Sequence, residues 1–403
     1  MIKRVRIPAA VFLILVTGAA GLYVYQNSRD MPGDETVDAC NSYAFRLYDL
    51  YGEGSENVFF SPYSISTCMS MVYEGARGET AEEMQQVFGW DKVDARRFSS
   101  NRFIYDRLND PDGTCEICTA NALWVQDGFP FEGDYIGVIT EGYGGEATVV
   151  DFTRSVETRE AINAWVENRT KGRIQDLLPQ DMIHGDVKFV LTNAVYFKGD
   201  WVNPFDPAQT GEAPFYLIDG NPVTAEMMYI RDTWFNYTET ADVQVAELPY
   251  KGGDYSMVIV LPKENNLEEV EREITEDSYF NWLSAMNEEE LVMCLPKFKL
   301  ECKYDMKEDL IEMGMPLAFT SDADLTKMSS EEGLFIEYVV HQACVEVNEK
   351  GSEAAAATGA SGVMSIPSGV RFIVDHPFLF TIMDSETGLI LFMGRVMDPS
   401  QNR

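Results

Sequence analysis

Residues 345–370 read Val-Glu-Val-Asn-Glu-Lys-Gly-Ser-Glu-Ala-Ala-Ala-Ala-Thr-Gly-Ala-Ser-Gly-Val-Met-Ser-Ile-Pro-Ser-Gly-Val, and this stretch decides how the chain is interpreted. Its composition is that of a linker, yet it lies between two strand-like segments close to the C-terminus. A structureless loop of about 20 residues inside a compact domain is uncommon and usually functional or disordered. With a period of two, Ser352, Ala354, Ala356 and Thr358 share one face, and all are small. The pattern therefore allows an extra strand in a sheet, with a flexible tether as the alternative.

The surrounding segments predict a mixed α+β domain. Strand character dominates the second half of the chain, at residues 187–197, 255–261, 290–299, 343–348, 378–384 and 389–395. Helical spacing dominates the first half of the chain and predicts five helices. The first begins at about Val37, and the second follows Pro62 with Ser64 as its N-cap. The third covers 81–88 after a capping box at 80–83, and the last two cover 97–108 and 157–170. Early helices and late strands indicate one large domain of helices packed on antiparallel sheets.

Charge and residue counts exclude several functions. With 66 acidic and 31 basic side chains, the net charge of -35 disfavours nucleic acids and anionic membrane surfaces as partners. Three histidines are too few for a histidine-rich metal site. Cys115 and Cys118 form the only tight cysteine pair, but on a strand their side chains point to opposite faces. We therefore expect no metal and no cofactor.

The N-terminus predicts export. In residues 1–26, three basic side chains precede an apolar run over 7–25, and small residues allow cleavage after Ala19 or Ala20. The run is also long enough to cross a bilayer uncleaved. Residues 27–35 form a polar linker, and 36–403 form the folded domain. We expect a secreted or extracytoplasmic protein, held at a membrane only if residues 7–25 remain as an anchor.

Residues 345–358 resemble the hinge of the reactive-centre loop in serpins, the serine protease inhibitor family. Six further segments resemble serpin signatures and occur in the family's order: 57–66 (Asn-Val-Phe-Phe-Ser-Pro-Tyr-Ser-Ile-Ser), 75–80, 191–201, 247–250, 295–300 and 375–380. One such segment is a weak signal, but six in order over residues 36–398 are specific.

The resemblance implies a single domain of three β-sheets and eight or nine helices, with an exposed reactive-centre loop at about 349–368. It implies an irreversible inhibitor that a serine protease cleaves, forming an acyl-enzyme before the loop inserts into the central sheet. The implied protein is not an enzyme itself. A non-inhibitory serpin-fold carrier, chaperone or binding protein is the alternative.

The resemblance also assigns roles within the loop. The hinge, which inserts first, comprises Glu349, Gly351, Ser352, Ala354, Ala355, Ala356, Ala357 and Thr358, and its small side chains favour an inhibitor. The downstream motif places the scissile bond at Met364–Ser365, whereas counting from Glu349 gives Ser365–Ile366. No Lys or Arg lies between Gly351 and Val370, so we expect chymotrypsin-, elastase- or subtilisin-like targets rather than trypsin-like ones.

Two further groups match the family's control points for opening the central sheet. The first group lies beneath the centre of the sheet and consists of Ser61, Ser64, Asn193 and His341. The serine and asparagine side chains are able to form hydrogen bonds with the neutral imidazole of His341. At the top of the sheet, Trp201 lies near a Glu349–Lys297 pair that we expect to be partly exposed and weak on its own. We expect a monomer with no heparin-type polyanion as activator, because the chain is acidic.

Overall fold

A computed structural model describes residues 34–52, 54–93, 97–109, 115–143, 145–180, 182–331, 333–352 and 369–401. The predicted signal or anchor lies outside the described residues. So do the hinge residues from Ala354 to Thr358 and both candidate scissile bonds, Met364–Ser365 and Ser365–Ile366. Within the described part, no helix is long and apolar enough to cross a membrane.

Nine α-helices occur in the described residues: α1 (Asp34–Tyr51), α2 (Pro62–Gly75), α3 (Gly78–Phe88), α4 (Arg97–Leu108), α5 (Gly133–Gly142), α6 (Ser155–Arg169), α7 (Leu267–Glu273), α8 (Glu276–Ser284) and α9 (Lys307–Glu312). Two predicted caps are wrong. Ser61, not Ser64, is the N-cap of α2, because its side chain accepts the N–H of Ser64 and Pro62 begins the helix. Helix α3 begins at Gly78 without a side-chain cap, and Thr80 instead accepts the N–H of Asp324.

Sixteen strands are described: β1 (Val58–Phe60), β2 (Glu116–Thr119), β3 (Ala122–Gln126), β4 (Glu146–Val150), β5 (Phe189–Asp200), β6 (Gly211–Tyr216), β7 (Pro222–Glu239), β8 (Val243–Pro249), β9 (Tyr255–Pro262), β10 (Asn287–Pro296), β11 (Phe298–Asp305), β12 (Val339–Val347), β13 (Gly351–Ser352), β14 (Val370–Ile373), β15 (Phe378–Asp384) and β16 (Ile390–Val396). The central sheet has the order β11-β12-β5-β3-β4, and both β2 and β13 pair with β5. The outer sheet has the order β1-β16-β15-β9-β8-β7-β10-β14, with β6 paired to β7.

The α+β class and the helix number agree with the prediction, but the described strands form two hydrogen-bonded sheets where three were expected. Strand β7 accounts for the difference. It is 18 residues long and pairs with β10 along most of its length, past a bulge next to Leu291. Through β7 the outer sheet is continuous from β8 to β10 and β14.

The predicted strand over 290–299 is two strands, β10 and β11. They part at Lys297, whose N–H donates to the Glu226 carbonyl of β7 at 2.8 Å and so extends the β7–β10 pairing by one residue. Strand β10 belongs to the outer sheet and β11 to the central one. The chain thus crosses between the sheets at this residue.

The central sheet is covered on both faces. Val190 and Ala194 of β5 face a cluster formed with α6, which includes Ile162. Alternate residues of β5, such as Val195 and Phe197, face the outer sheet. This double burial explains the nearly continuous apolar sequence of β5.

Candidate functional site

At one end of the central sheet, which we call its top, the adjacent strands β5 and β12 no longer pair with each other; we describe this end as parted. Strands β5 and β12 run parallel and pair from Leu191–Val339 to Tyr196–Cys344. Beyond that point β5 pairs instead with β13, which runs antiparallel to it, with Gly351 opposite Asp200 and Ser352 opposite Gly199. The first two hinge residues therefore already lie against β5 as a short strand.

A tight turn reverses the chain between β12 and β13. The N–H of Asn348 donates to the Gly351 carbonyl at 2.9 Å, and the N–H of Gly351 donates back at 3.3 Å. The Asn348 side chain also accepts the N–H of Lys350 at 2.9 Å. A Cβ at Gly351 would lie 1.9 Å from the Gly199 carbonyl oxygen, so only glycine allows this approach of the two strands.

Two stacked aromatic rings hold the hinge in this position. The rings of Trp201 and Tyr250 stack with centroids 4.4 Å apart. Trp201 Nε1 donates to the Asn348 carbonyl at 3.0 Å, and the hydroxyls of Tyr250 and Ser352 share a hydrogen bond of 2.7 Å. Burial raises the pKa of Tyr250 well above its ordinary value, so this hydroxyl stays protonated.

The Glu349 side chain is only 5% exposed, so the expectation of a partly exposed pair is wrong for this residue. The Nζ of Lys297 lies 3.5 Å from a carboxylate oxygen of Glu349 and 3.5 Å from one of Glu226. The Glu349 carbonyl also accepts the N–H of Phe205 at 2.8 Å. Burial strengthens the Coulomb attraction between this carboxylate and Lys297 but also removes its hydration, so loss of Lys297 would leave a buried carboxylate uncompensated.

Beneath the centre of the sheet, the structure brings together Ser61, Ser64, Asn193 and His341, all buried. The Ser61 N–H donates to His341 Nε2 at 3.0 Å, so the ring proton lies on Nδ1, from which it is donated to the Asn193 side-chain oxygen. Asn193 Nδ2 in turn lies 2.7 Å from both the carbonyl and the hydroxyl oxygen of Ser64. Burial lowers the pKa of His341 to about 3, which keeps the imidazole neutral.

This central cluster is a hydrogen-bonded connection between strands, not a catalytic dyad. His341 on β12 and Asn193 on β5 are directly paired residues of adjacent strands. The hydroxyl of Ser61 donates to the Leu391 carbonyl at 2.6 Å, so the imidazole does not activate it.

Sequence reasoning missed three residues of the site. Asn121 Oδ1 accepts from Asn193 Nδ2 at 2.8 Å, but an asparagine between two short strands carries no distinctive signal. Glu226 lies on β7, a strand that was not predicted. Tyr250 ends the segment 247–250, which was matched to the family without a role being assigned to it.

Comparison with known proteins gives a consistent result. The family model "Serpin (serine protease inhibitor)" matches residues 38–399. An uncharacterized serpin-like protein of Thermococcus kodakarensis is 42% identical over 90% of this chain and 85% of its own length. A leukocyte elastase inhibitor of Xenopus laevis is 37% identical over 90% of this chain and 98% of its own. The crystal structure of uncleaved ovalbumin, 30% identical, superposes with a TM-score of 0.82 over 91% of this chain and 100% of that chain.

Proposed function

The chain belongs to the serpin family, and on that premise we propose that it is an irreversible, single-use inhibitor of serine proteases. The absence of basic residues between Gly351 and Val370 favours chymotrypsin-, elastase- or subtilisin-like targets. The similarity to a leukocyte elastase inhibitor supports this choice. A carrier or chaperone without inhibitory activity is the alternative, and the small residues at 351, 352 and 354–358 argue against it.

The parted top of the central sheet is the observation that carries the proposal. Strand β13 already occupies the position from which a longer strand would extend between β5 and β12. Ser352 is fully buried there, so the residues that share its face, Ala354, Ala356 and Thr358, would follow into a space that excludes large side chains. The run of alanines at 354–357 meets that requirement.

In the proposed reaction the protease supplies the nucleophile. Its serine oxygen attacks the Met364 carbonyl carbon, the peptide bond to Ser365 breaks, and the serine proton passes through the protease histidine to the new amine of Ser365. Met364 is then joined to the protease by an ester. Insertion of residues 351–364 into the central sheet would move the attached protease before water hydrolyses that ester.

Strand insertion supplies the free energy for this movement. Each new backbone hydrogen bond contributes about 1 kcal/mol net, so a strand of about a dozen residues gains on the order of 10 kcal/mol. The uncleaved fold is accordingly metastable and persists because its opening is slow. We assign the control of that opening to His341 and Asn193 at the centre, and to Glu349, Lys297 and Trp201 at the top.

Incubation with chymotrypsin-, elastase- and subtilisin-like proteases tests the function. We expect a covalent complex that survives denaturing gel electrophoresis. The released peptide should comprise residues 365–403 for cleavage at Met364–Ser365, or 366–403 for the alternative bond, and mass spectrometry distinguishes them. Cleavage without a complex by every protease tried, and without a gain in heat stability, would contradict the proposal.

Charge reversal tests the control at the top of the sheet. In Lys297→Glu the new carboxylate faces Glu349 and Glu226, so we expect faster loop insertion and faster polymerisation on heating. Lys299→Glu is the matched control, because Lys299 lies nearby but is 42% exposed and contacts Glu301. Equal rates in both variants would count against a gate at Lys297.

We further propose that the protein acts outside the cytoplasm as a monomer. Cleavage after residue 20 would remove Lys3, Arg4 and Arg6 and change the net charge from -35 to -38. So acidic a protein repels heparin-type polyanions, and it would therefore meet its protease without such an activator or any other cofactor. Mass analysis of the mature N-terminus distinguishes a secreted form from one anchored by residues 7–25.

A further inference from the structure

Trp234 is the most exposed aromatic side chain in the described residues, with 59% of its surface accessible. It lies on β7 directly opposite Glu290 of β10. Strand β14 pairs Val370 with Leu291, which places Gly369 beside Glu290. A Cβ on Gly369 would lie 2.7 Å from the Glu290 carbonyl oxygen. Because adjacent strands are about 4.8 Å apart, Trp234 lies roughly 10 Å from the C-terminal end of the reactive-centre loop.

The surface around Trp234 is acidic. Glu288 pairs with Asn236 and lies on the same face of the sheet as Glu290 and Trp234. The β7 bulge contributes Arg231 and Asp232, which face each other at 3.7 Å and offset each other's charge. Arg371 on β14 adds one exposed positive charge, which leaves this face negative overall.

We infer that the Trp234 surface, formed by Trp234, Glu288 and Glu290, is an exosite for the protease that cleaves the reactive-centre loop. This inference rests on the proposed inhibitory function. The expected protease has a basic and partly apolar surface. That surface lies beside the part of the protease's active-site cleft that binds the loop residues C-terminal to the scissile bond. Tryptophan is favoured at such contacts because one rigid side chain covers a large area.

Two other occupants of this surface lack the matching charge. From residue 354 to residue 368 the loop carries no charged side chain, so it does not complement Glu288 and Glu290. A second copy of the chain carries a net charge of -35 and is repelled. A cationic protease bound at the adjacent loop meets this surface directly, since the loop ends beside it.

An exosite raises the rate at which inhibitor and protease associate, and it leaves the later steps of acylation and strand insertion unchanged. Charge attraction raises the encounter rate and weakens as salt is added. Trp234 lies on the outer sheet, away from β5 and β12, so its replacement does not alter strand insertion. The association rate therefore depends on this surface, whereas the moles of inhibitor consumed per mole of protease do not.

The test uses the full-length protein, a cationic elastase-type protease that forms the covalent complex, and the same protease with succinylated lysines. We expect Trp234→Ala to lower the second-order rate of inhibition about tenfold, because truncation of a well-packed interface tryptophan costs more than about 1 kcal/mol. The double variant Glu288→Gln/Glu290→Gln should lose the salt dependence of that rate. Val149→Ala is the matched control, because Val149 is 62% exposed on β4 of the central sheet.

Each outcome separates this inference from the proposed function. A slower rate for Trp234→Ala with unchanged stoichiometry, and a slower wild-type reaction with the succinylated protease, support the exosite. A covalent complex that forms equally fast in Trp234→Ala and wild type overturns the exosite but leaves the inhibitory function intact. If wild type itself forms no complex with any protease, the proposed function fails first. A change in oligomeric state caused by Trp234→Ala would assign the surface to a second copy instead and overturn the exosite.

Discussion

At the centre of the central sheet, His341 and Asn193 join β12 directly to β5, whereas at the top the same two strands are parted and β13 lies against β5. The centre is held by neutral side chains that involve no residue of the loop. The top is held by contacts to the hinge itself, through Tyr250 and Ser352. One strand pair thus combines a closed region with a parted end, where the first two residues of the loop lie against β5.

The difference indicates where resistance to opening lies. Separation of the strands at the centre breaks buried hydrogen bonds and transiently leaves polar groups without partners. Extension of β13 at the top begins from a pairing that already exists and avoids the cost of starting a new strand. We therefore expect changes at the centre to affect stability and changes at the top to affect inhibition.

The largest expected effect comes from Ser352→Arg at the top. Ser352 is already fully buried in β13 of the uncleaved protein, so arginine would displace β13 from β5. Its entry into the sheet during insertion would then bury an unpaired charge at a cost of several kcal/mol. The ester would then hydrolyse before insertion, and the variant would behave as a substrate. We expect the moles of inhibitor consumed per mole of protease to rise at least about tenfold. Ser352→Thr, which keeps the hydroxyl, is the control, and an unchanged ratio in Ser352→Arg would refute the role of the hinge.

His341→Ala tests the centre. The substitution removes the acceptor of the Ser61 N–H and the donor to Asn193, and it leaves both groups buried. We expect the free energy of unfolding to fall by about 2–6 kcal/mol, because each of the two unsatisfied groups costs about 1–3 kcal/mol. Urea unfolding followed by fluorescence measures this change. A loss below about 0.5 kcal/mol would show that the cluster does not hold the strands together.

Acidification is expected to destabilise the same cluster at the centre of the sheet, as His341→Ala does. The pKa of His341 is lowered from 6.5 to about 3, so the unfolded chain takes up a proton that the folded protein does not. The stability is therefore complete above pH 6.5 and declines as the pH falls toward 3. Between pH 7 and pH 5 we expect this residue to contribute a loss of about 2 kcal/mol. His341→Gln should lack that contribution, whereas Tyr250→Phe should retain it, and equal pH dependence in all three proteins would contradict the assignment.

The smallest expected effect comes from Tyr250→Phe at the top. The substitution removes one hydroxyl hydrogen bond to Ser352 and keeps the ring stacked on Trp201. We expect the free energy of unfolding to fall by about 1 kcal/mol. Hydrogen exchange at the Ser352 amide should accelerate, because β13 is then held less tightly. Unchanged exchange would show that the turn at Asn348 alone positions the hinge.

Local sequence patterns predicted those helices and strands in which apolar residues recur with the helical or strand period. Helix α4 over 97–108 and strand β15 over 378–384 have the predicted bounds. Strand β7 was missed, because its charged bulge at Arg231 and Asp232 interrupts the apolar alternation. The change of sheet at Lys297 was also missed, since the residue that accepts its N–H lies on β7, far away in the chain.

Of the site, the motifs correctly indicated Ser61, Ser64, Asn193 and His341 as neighbours, although they lie on three separate elements. They did not indicate Asn121, Glu226 or Tyr250. Tyr250 and Ser352 are 102 residues apart, and neither residue type predicts the other as a partner. Such pairs depend on how the strands are arranged, not on local sequence.

The small side chains at residues 351, 352 and 354–358 and the excess of carboxylates are properties of the sequence alone. They are sufficient to predict a segment able to enter a sheet and to disfavour nucleic acids as partners. The burial of Glu349, the neutral imidazole of His341 and the parted top of the sheet are decided by tertiary structure. The physical reason is that solvation and strand pairing depend on which distant residues surround a group, and the chain provides those neighbours only when it folds.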